Sequence, residues 1–334
     1  MKHATAKAAS SPVKKVSVIC TLYNEAGSAK ALMQSIVSQS RKPDEVVIVD
    51  GGSADNTVQE VKPFSKKLNL KTIISPGANI ARGRNIAISK ATGDFVATID
   101  GGCTADRDWL KNLLARQAKS NADVVAGAYK PDARSLFEKT QGLLVVPDFS
   151  KLPDDWPPSS RSQLLRKAFW KKAGGYPEGL YTAEDTIFNY RLKAAGAKYS
   201  LARNAFVHWR MRPTWKKLWR QFYNYGKGDG MTRLPFKDRS NINVSRSLSV
   251  LIGIYGFAFF LLLSIFLGNF LASGLLAALF LAFLFSPSAR VYSSLHSFQA
   301  VLIAAGLNLT RRLAYFAGFH AGLLAGKPRQ GARF

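Results

Sequence analysis

From Ser247 to Ala289 the chain carries no charged residue, and nothing else in it restricts the fold so sharply. Leu248 to Gly268 (LSVLIGIYGFAFFLLLSIFLG) has about the length a helix needs to cross a bilayer. Phe270 to Phe285 is shorter and nearly as apolar, and Gly268-Asn269 between the two suits a tight turn. Two buried core helices of a soluble domain are the alternative. An apolar stretch this long favours two transmembrane helices within 247–289.

Charge sharpens that reading. The chain has 47 Lys and Arg against 21 Asp and Glu, a formal net charge of +26. The basic residues crowd from Arg203 to Arg246, opposed there only by Asp229 and Asp238. A basic girdle abutting an apolar stretch is a membrane pattern, so a bilayer and not a nucleic acid is the expected partner. A hairpin places the girdle and Arg290 on one side, which the positive-inside rule makes cytoplasmic. The localisation expected is a multi-pass cell-membrane protein with a cytoplasmic catalytic domain.

Residues 211–246 form a basic amphipathic interfacial segment. Within Thr214–Tyr225, Trp215, Leu218, Trp219, Phe222 and Tyr225 share one helical face, and Lys216, Lys217, Arg220 and Asn224 the other. The last apolar region, Phe298 to Leu324, has Arg311 and Arg312 in its middle. Each arginine at mid-bilayer costs roughly 2.5–3.5 kcal/mol, so 290–326 is expected to be interfacial or re-entrant in preference to a third span. Residues 1–14 and 327–334 read as basic tails, the first mobile and without the apolar core of a signal peptide. Two cysteines, Cys20 and Cys103, give neither a disulfide framework nor a CxxC metal pattern and are expected buried and reduced.

From residue 15 to about 210, short apolar runs alternate with helical patterns. Val16–Cys20, Val46–Asp50, Lys71–Ile74, Phe95–Asp100 and Val124–Gly127 read as strands. Ser28–Gln39, Ala81–Ala91 and Ala105–Lys119 read as helices. This is an α/β domain with a mostly parallel, Rossmann-like sheet, whose ligands gather at the carboxyl ends of strands. Those ends carry Thr21-Leu-Tyr-Asn-Glu25, Asp50-Gly-Gly-Ser-Ala-Asp-Asn56 and Asp100-Gly-Gly. No GxGxxG follows the first strand and no GxxxxGK[ST] occurs, which disfavours a dinucleotide enzyme and a P-loop ATPase.

Three blocks carry a family resemblance. VSVICTLYNEAGSAKALMQSIVSQSRKPDEVVIVDGGSADNT resembles the opening of the family 2 glycosyltransferases, which have the GT-A fold. ARGRNIAISKATGDFVATIDGG resembles their next block, and RKAFWKKAGGYPEGLYTAEDTIFNYRLKAAGAK their acceptor-side block. The match runs in order from about Val16 to His208 and is of the membrane-anchored bacterial or archaeal type.

The resemblance implies an inverting transferase that takes a sugar from a UDP- or GDP-linked donor. It implies nucleotide-sugar binding by Thr21, Asn24, Glu25, Asp50, Gly52, Arg84, Asn85 and Asp100. Asp185 matches the general base, and Glu184 orients the catalytic loop or binds acceptor. A carboxylate suits that role where the acceptor is a hydroxyl within hydrogen-bond reach. Asp100 matches the first acid of the DxD motif, which contacts a divalent metal, Mn²⁺ or Mg²⁺, that stabilises the departing diphosphate as a Lewis acid. The second acid is replaced by Gly102. Waters and substrate phosphates can supply the missing ligands, and His208 is a candidate further ligand. Arg210, Arg212 and Arg220 stand where the family's Gln-x-x-Arg-Trp region falls, without matching it, and are assigned to the diphosphate or to lipid headgroups. The acceptor expected is a membrane lipid, as a lipid-linked saccharide or a polyprenyl phosphate. A catalytically degenerate nucleotide-sugar-binding scaffold is the rival, supported by Gly51 and Gly102.

Overall fold

The computed structural model describes residues 15–233, 236 and 242–326, and of 242–248 and 250 the backbone alone. The two basic tails, and most of the basic stretch between 234 and 241, lie outside the described residues.

The strands are β1 Val16–Leu22, β2 Glu45–Asp50, β3 Leu70–Ile74, β4 Phe95–Ile99, β5 Cys103–Ala105, β6 Val124–Asp132, β7 Ser162–Arg166 and β8 Tyr199–Arg210. They form one sheet in the order β3-β2-β1-β4-β7-β6-β8-β5. Near-continuous apolar runs make β1, β2 and β4 strands buried on both faces, the mark of a parallel sheet covered on two sides. Helices α1 Ala26–Val37, α3 Ile80–Lys90 and α4 Trp109–Ser120 provide that cover, with the short α2 Thr57–Val61 following β2.

The expectation of a mostly parallel sheet holds for β3-β2-β1-β4 and for β6 beside β8. Elsewhere it needs correction. Strand β7 is antiparallel to both β4 and β6, and β5 is antiparallel to β8, so the sheet is mixed. The helix expected from Ala105 begins at Trp109, because Cys103–Ala105 is spent on the β5 ladder with Val207–Trp209. That ladder and the β4–β7 pairing, Ile99 opposite Ser162, place the site.

The remaining helices are α5 Leu136–Val145, α6 Lys167–Lys172, α7 Glu184–Ala194, α8 Trp215–Thr232, α9 Ile242–Phe266, α10 Phe270–Leu284, α11 Ser288–Leu295 and α12 Phe298–Leu324. The capping box of Ser135 and Glu138 starts α5, and the Thr214 side chain caps α8. Helices α9 and α10 turn at Gly268-Asn269, where Gly268 has φ +66° and the Asn269 side chain caps α10. Phe259, Leu262, Phe266, Phe270, Leu271 and Leu275 are exposed, and no residue of α10 is buried. Among the described residues one helical run, Phe270–Leu295, is long and apolar enough to cross a membrane, while Leu251–Phe266 is a shorter apolar helix.

Helix α12 lies against α5 and α8. Arg311 donates to the Leu144 carbonyl at 2.8 Å and lies over the Phe222 ring, and Arg312 donates to Asn308. Both arginines thus find a hydrogen-bond partner within the protein, although Arg311 Nε is buried without one. The α8–α12 contact is a backbone-to-backbone approach. A Cβ at Gly226 or Gly230 would strike the backbone of Tyr315 or Phe319, and one at Gly318 or Gly322 the backbone of Tyr223 or Lys227. Two GxxxG pairs therefore face each other, four residues apart on each helix and on one face. Asp229 sits in this seam and accepts from the Tyr315 hydroxyl at 2.7 Å. Burial pushes its carboxyl up to about 6, against the opposing effect of that hydrogen bond.

Replacing Gly230 with Leu should cost roughly 3 kcal/mol or more by forcing the helices apart. Gly256, with no atom near its missing Cβ, should change by less than about 1 kcal/mol as Ala. Thermal unfolding of the detergent-solubilised protein checks both. The raised Asp229 carboxyl means that the folded state holds its proton more tightly than the unfolded chain. Its contribution is therefore favourable below pH 4 and is lost as pH rises to about 6. Asp229→Asn should melt above the parent at neutral pH and lose that advantage towards pH 4.

Candidate active site

The loops after β1, β2 and β4 meet at the carboxyl ends of the parallel strands. Asp50 is buried and holds its own loop: Oδ1 accepts from the Gly52 and Ser53 amides at 2.9 and 2.8 Å, and Oδ2 from the Ser53 hydroxyl at 2.6 Å. Gly52 has φ +92°, which a side chain would resist. Asn24, at φ +54°, ties the first loop to the second, its Oδ1 accepting from the Ala54 amide and its amide donating to Ser53. The Glu25 amide donates to Thr57, and the Glu25 carboxylate accepts from Ser28. Thr21, half-buried, packs against Gly83 of α3, where a Cβ would come within 2.6 Å of its methyl group.

Helix α3 starts at the Asn79 cap and delivers Arg84 and Asn85. Arg84 is only 4% exposed. Its Nη2 donates to Asp100 Oδ1 and its Nη1 to Glu184 Oε1, each at 2.7 Å. These two carboxylates lie at the end of β4 and at the first turn of α7, far apart in sequence. One planar fork holds both. Two carboxylates beside it hold the guanidinium in its charged form against the cost of burial.

Asn85 was expected at the donor. Instead its amide is committed to the chain: Nδ2 donates to the Tyr176 carbonyl and Glu178, and Oδ1 accepts from Trp170 Nε1 and the Tyr176 amide. All four of its ordinary hydrogen-bond positions are filled, so it clamps α3 to the 170–178 segment.

The loop before α7 ends in Ala183, a non-glycine residue at φ +65°, which turns the chain into the helix. Burial, and secondarily Asp185, push the Glu184 carboxyl up, with Arg84 opposing. Asp185 is half-buried beside it; Oδ1 accepts from the Thr186 amide at 2.8 Å, and the Ser159 hydroxyl lies 3.5 Å from Oδ2. The loop rests on α8, where Thr182 donates to the Asn224 carbonyl at 2.5 Å and packs on Gly228.

The residues suggested for a metal do not converge. His208 Nε2 bonds Asp106 Oδ1 at 2.6 Å. Its neighbour Trp209 instead stacks on Arg161, which lies 3.9 Å from Asp100, and adjacent side chains on a strand face opposite ways. His208 is therefore on the other face from Asp100. Among the described residues no group of three His, Cys, Asp or Glu could hold a metal. Asp100 is a single carboxylate with one oxygen bonded to Arg84 and the other facing Arg161. Two guanidiniums at that distance repel a dication, and this donor set does not fit one.

Of the basic candidates, Arg210 pairs with Asp132 at 3.0 Å. Arg212 is exposed, its Nε held at 3.0 Å by Gln221, which donates in turn to the Tyr225 hydroxyl. Arg220 is exposed on α8. Arg161, Tyr129 and Trp209 escape sequence reasoning because the β4–β7 and β6–β8 pairings, not any spacing, bring them to Asp100. Cys20 and Cys103 are free and buried, and burial raises both thiols.

Comparison with known proteins agrees with this fold. Residues 17–178 match the model of the family described as glycosyl transferase family 2. Glycosyltransferase AglE of Haloferax volcanii is 26% identical over 222 residues, 64% of this chain and 72% of that protein. Poly(ribitol-phosphate) beta-N-acetylglucosaminyltransferase TarS of Staphylococcus aureus is 30% identical over 189 residues, 53% of this chain but only 32% of the relative. Among solved structures, the mannosyltransferase PcManGT from Pyrobaculum calidifontis, in complex with GDP-Man and Mn²⁺, superposes with TM-score 0.58 at 19% identity, covering 93% of this chain and 88% of that one. TarS 1-349 with UDP-GlcNAc gives 0.51 at 21% identity, covering 90% and 92%. At those identities the superpositions speak for the fold. The amino-terminal α/β domain is thus, over residues 17–178, a glycosyl transferase family 2 domain.

Proposed function

We propose that the protein is an inverting glycosyltransferase, moving a sugar from a UDP- or GDP-linked donor to a membrane-associated acceptor at the cytoplasmic face. The observation that carries this is the Arg84 fork. It draws together Asp100, at the strand end where nucleotide ligands gather, and Glu184, beside the acid suited to activate an acceptor. Similar folds carry UDP-GlcNAc and GDP-Man, which supports a nucleotide-sugar donor.

Asp185 supplies the base. Thr186 donates to one carboxylate oxygen and orients the group, which leaves the other to accept a proton from a sugar hydroxyl. The acceptor oxygen then attacks the anomeric carbon opposite the departing nucleoside diphosphate, which inverts that carbon. A polyprenyl phosphate, already anionic, needs no such deprotonation. The exposed apolar faces of α9 and α10 support a bilayer-inserted hairpin, with Arg290 and the basic end of α8 at the cytoplasmic surface.

Asp185→Asn should cut turnover on a lipid-linked saccharide by roughly 10²–10⁴-fold. Near-parental turnover on polyprenyl phosphate in the same variant would identify phosphate as the natural acceptor. Absence of donor hydrolysis by the parent protein with any nucleotide sugar would instead favour a binding scaffold. Arg84→Met strands two carboxylates, one of them buried, and should cost roughly 3–5 kcal/mol of stability. Arg84→Lys keeps the charge but cannot span both partners and should recover only part of that loss; thermal unfolding of both variants checks the pair.

A further inference from the structure

The donor reading leaves one charged group unused. Arg161 directly precedes β7, whose Ser162 is paired with Ile99, so the antiparallel ladder sets Arg161 beside Asp100. Its guanidinium lies 3.7 Å from the centroid of the Trp209 ring and 4.8 Å from that of Tyr129. Those two rings meet edge-on, with centroids 5.9 Å apart. Stacking on aromatic faces fixes the plane of an arginine without consuming its donors. Arg161 Nε is buried without a hydrogen-bond partner, and the nearest carboxylate oxygen, Asp100 Oδ2, is 3.9 Å away. Asp100 is bonded to Arg84 instead.

We propose that Arg161 binds the donor diphosphate, supplying at this site the positive charge that Asp100 and Gly102 are poorly built to recruit as a metal ion. This rests on the nucleotide-diphosphate reading of the site. A guanidinium held rigid, with hydrogen-bond donors unspent, is complementary to an anion with several acceptor oxygens. Two residues on from Asp100 the loop is open: apart from Gly102 and its two chain neighbours, no atom lies within 4 Å of where a Gly102 Cβ would stand. During transfer the bond between the anomeric carbon and the β-phosphoryl oxygen breaks and its electron pair passes to that oxygen. Arg161 donates hydrogen bonds to the diphosphate as this charge develops. The acceptor's proton goes to Asp185 where the acceptor is a hydroxyl.

Calorimetric titration of the detergent-purified full chain with UDP, GDP, uridine and guanosine, in EDTA and then in Mn²⁺, tests this. The nucleoside diphosphate that binds should keep its Kd within about threefold in EDTA. Arg161→Met should weaken that diphosphate by about tenfold or more while leaving the matching nucleoside within about twofold. Arg161→Lys, which preserves charge and most of the packing, should weaken the diphosphate by about three- to tenfold. Loss of parental binding in EDTA would overturn the proposal. So would parental diphosphate affinity in either variant, or an equal loss of nucleoside and diphosphate, which marks a merely structural prop. If neither UDP nor GDP binds the parent, the donor reading fails and this inference with it.

Discussion

The site depends on a single buried cation. Arg84 loses its hydration in the interior, and that cost is offset only because two carboxylates approach it at 2.7 Å along its two amino groups. The two come from different layers of the fold, Asp100 from the sheet and Glu184 from a helix packed beside it. Neither α3 nor α7 can shift without breaking a bond in a region of low dielectric, where an unpaired charge is most costly. The Asn85 clamp removes the remaining freedom of α3 relative to the 170–178 segment. Asp185 thereby acquires a fixed position without being buried itself, which suits the base role proposed for it.

A second constraint links this site to the apolar part of the chain. The loop before α7 leans on α8 through Thr182, and α8 is pressed backbone to backbone on α12 by four glycines. Helix α12 in turn touches the hairpin, where Tyr255 of α9 bonds His320. A continuous packed path therefore runs from the apolar hairpin to the residue beside the base. Such close helix pairs are held by van der Waals contact and tolerate little displacement. An acceptor delivered at the bilayer surface would meet a catalytic loop whose height is set by the same helices.

The parallel core was legible because strands buried on both faces read as unbroken apolar runs, as Val46–Ile48 and Val96–Ala97 do. Strand β7, Ser162–Arg166, was not, since SQLLR has a periodicity too short to separate from a loop. Glu184, Asp185, Asp100 and Arg84 could be singled out by motif, but their mutual geometry could not, because it arises from contacts up to 100 residues apart. His208 was misread for a related reason. An apolar run before a histidine says that it ends a strand, not which face it takes, and one residue of register separates the Asp106 side from the Arg161 side. The arginines of α12 posed the converse problem: costly in a bilayer by sequence, each finds a partner in the fold, Leu144 for Arg311 and Asn308 for Arg312, with Arg311 Nε left unpaired. The two GxxxG pairs were readable and were passed over, because Gly226 and Gly318 lie in segments dominated by a stronger amphipathic or apolar signal.

Local placement, and not the sum of charges, carries the case for an anionic ligand at Arg161. Three carboxylates, Asp100, Glu184 and Asp185, stand near two guanidiniums, Arg84 and Arg161. Arg84 is spent on two of the acids, and Glu184 is itself pushed towards its neutral form by burial. The remaining positive charge is Arg161, stacked on aromatic rings that add no competing acceptor. A cation entering beside Asp100 would meet this charge at close range, whereas a phosphate would relieve its unsatisfied donors. Asp185 faces Ser159, so the proton acceptance proposed for it and the charge neutralisation proposed for Arg161 fall to different groups.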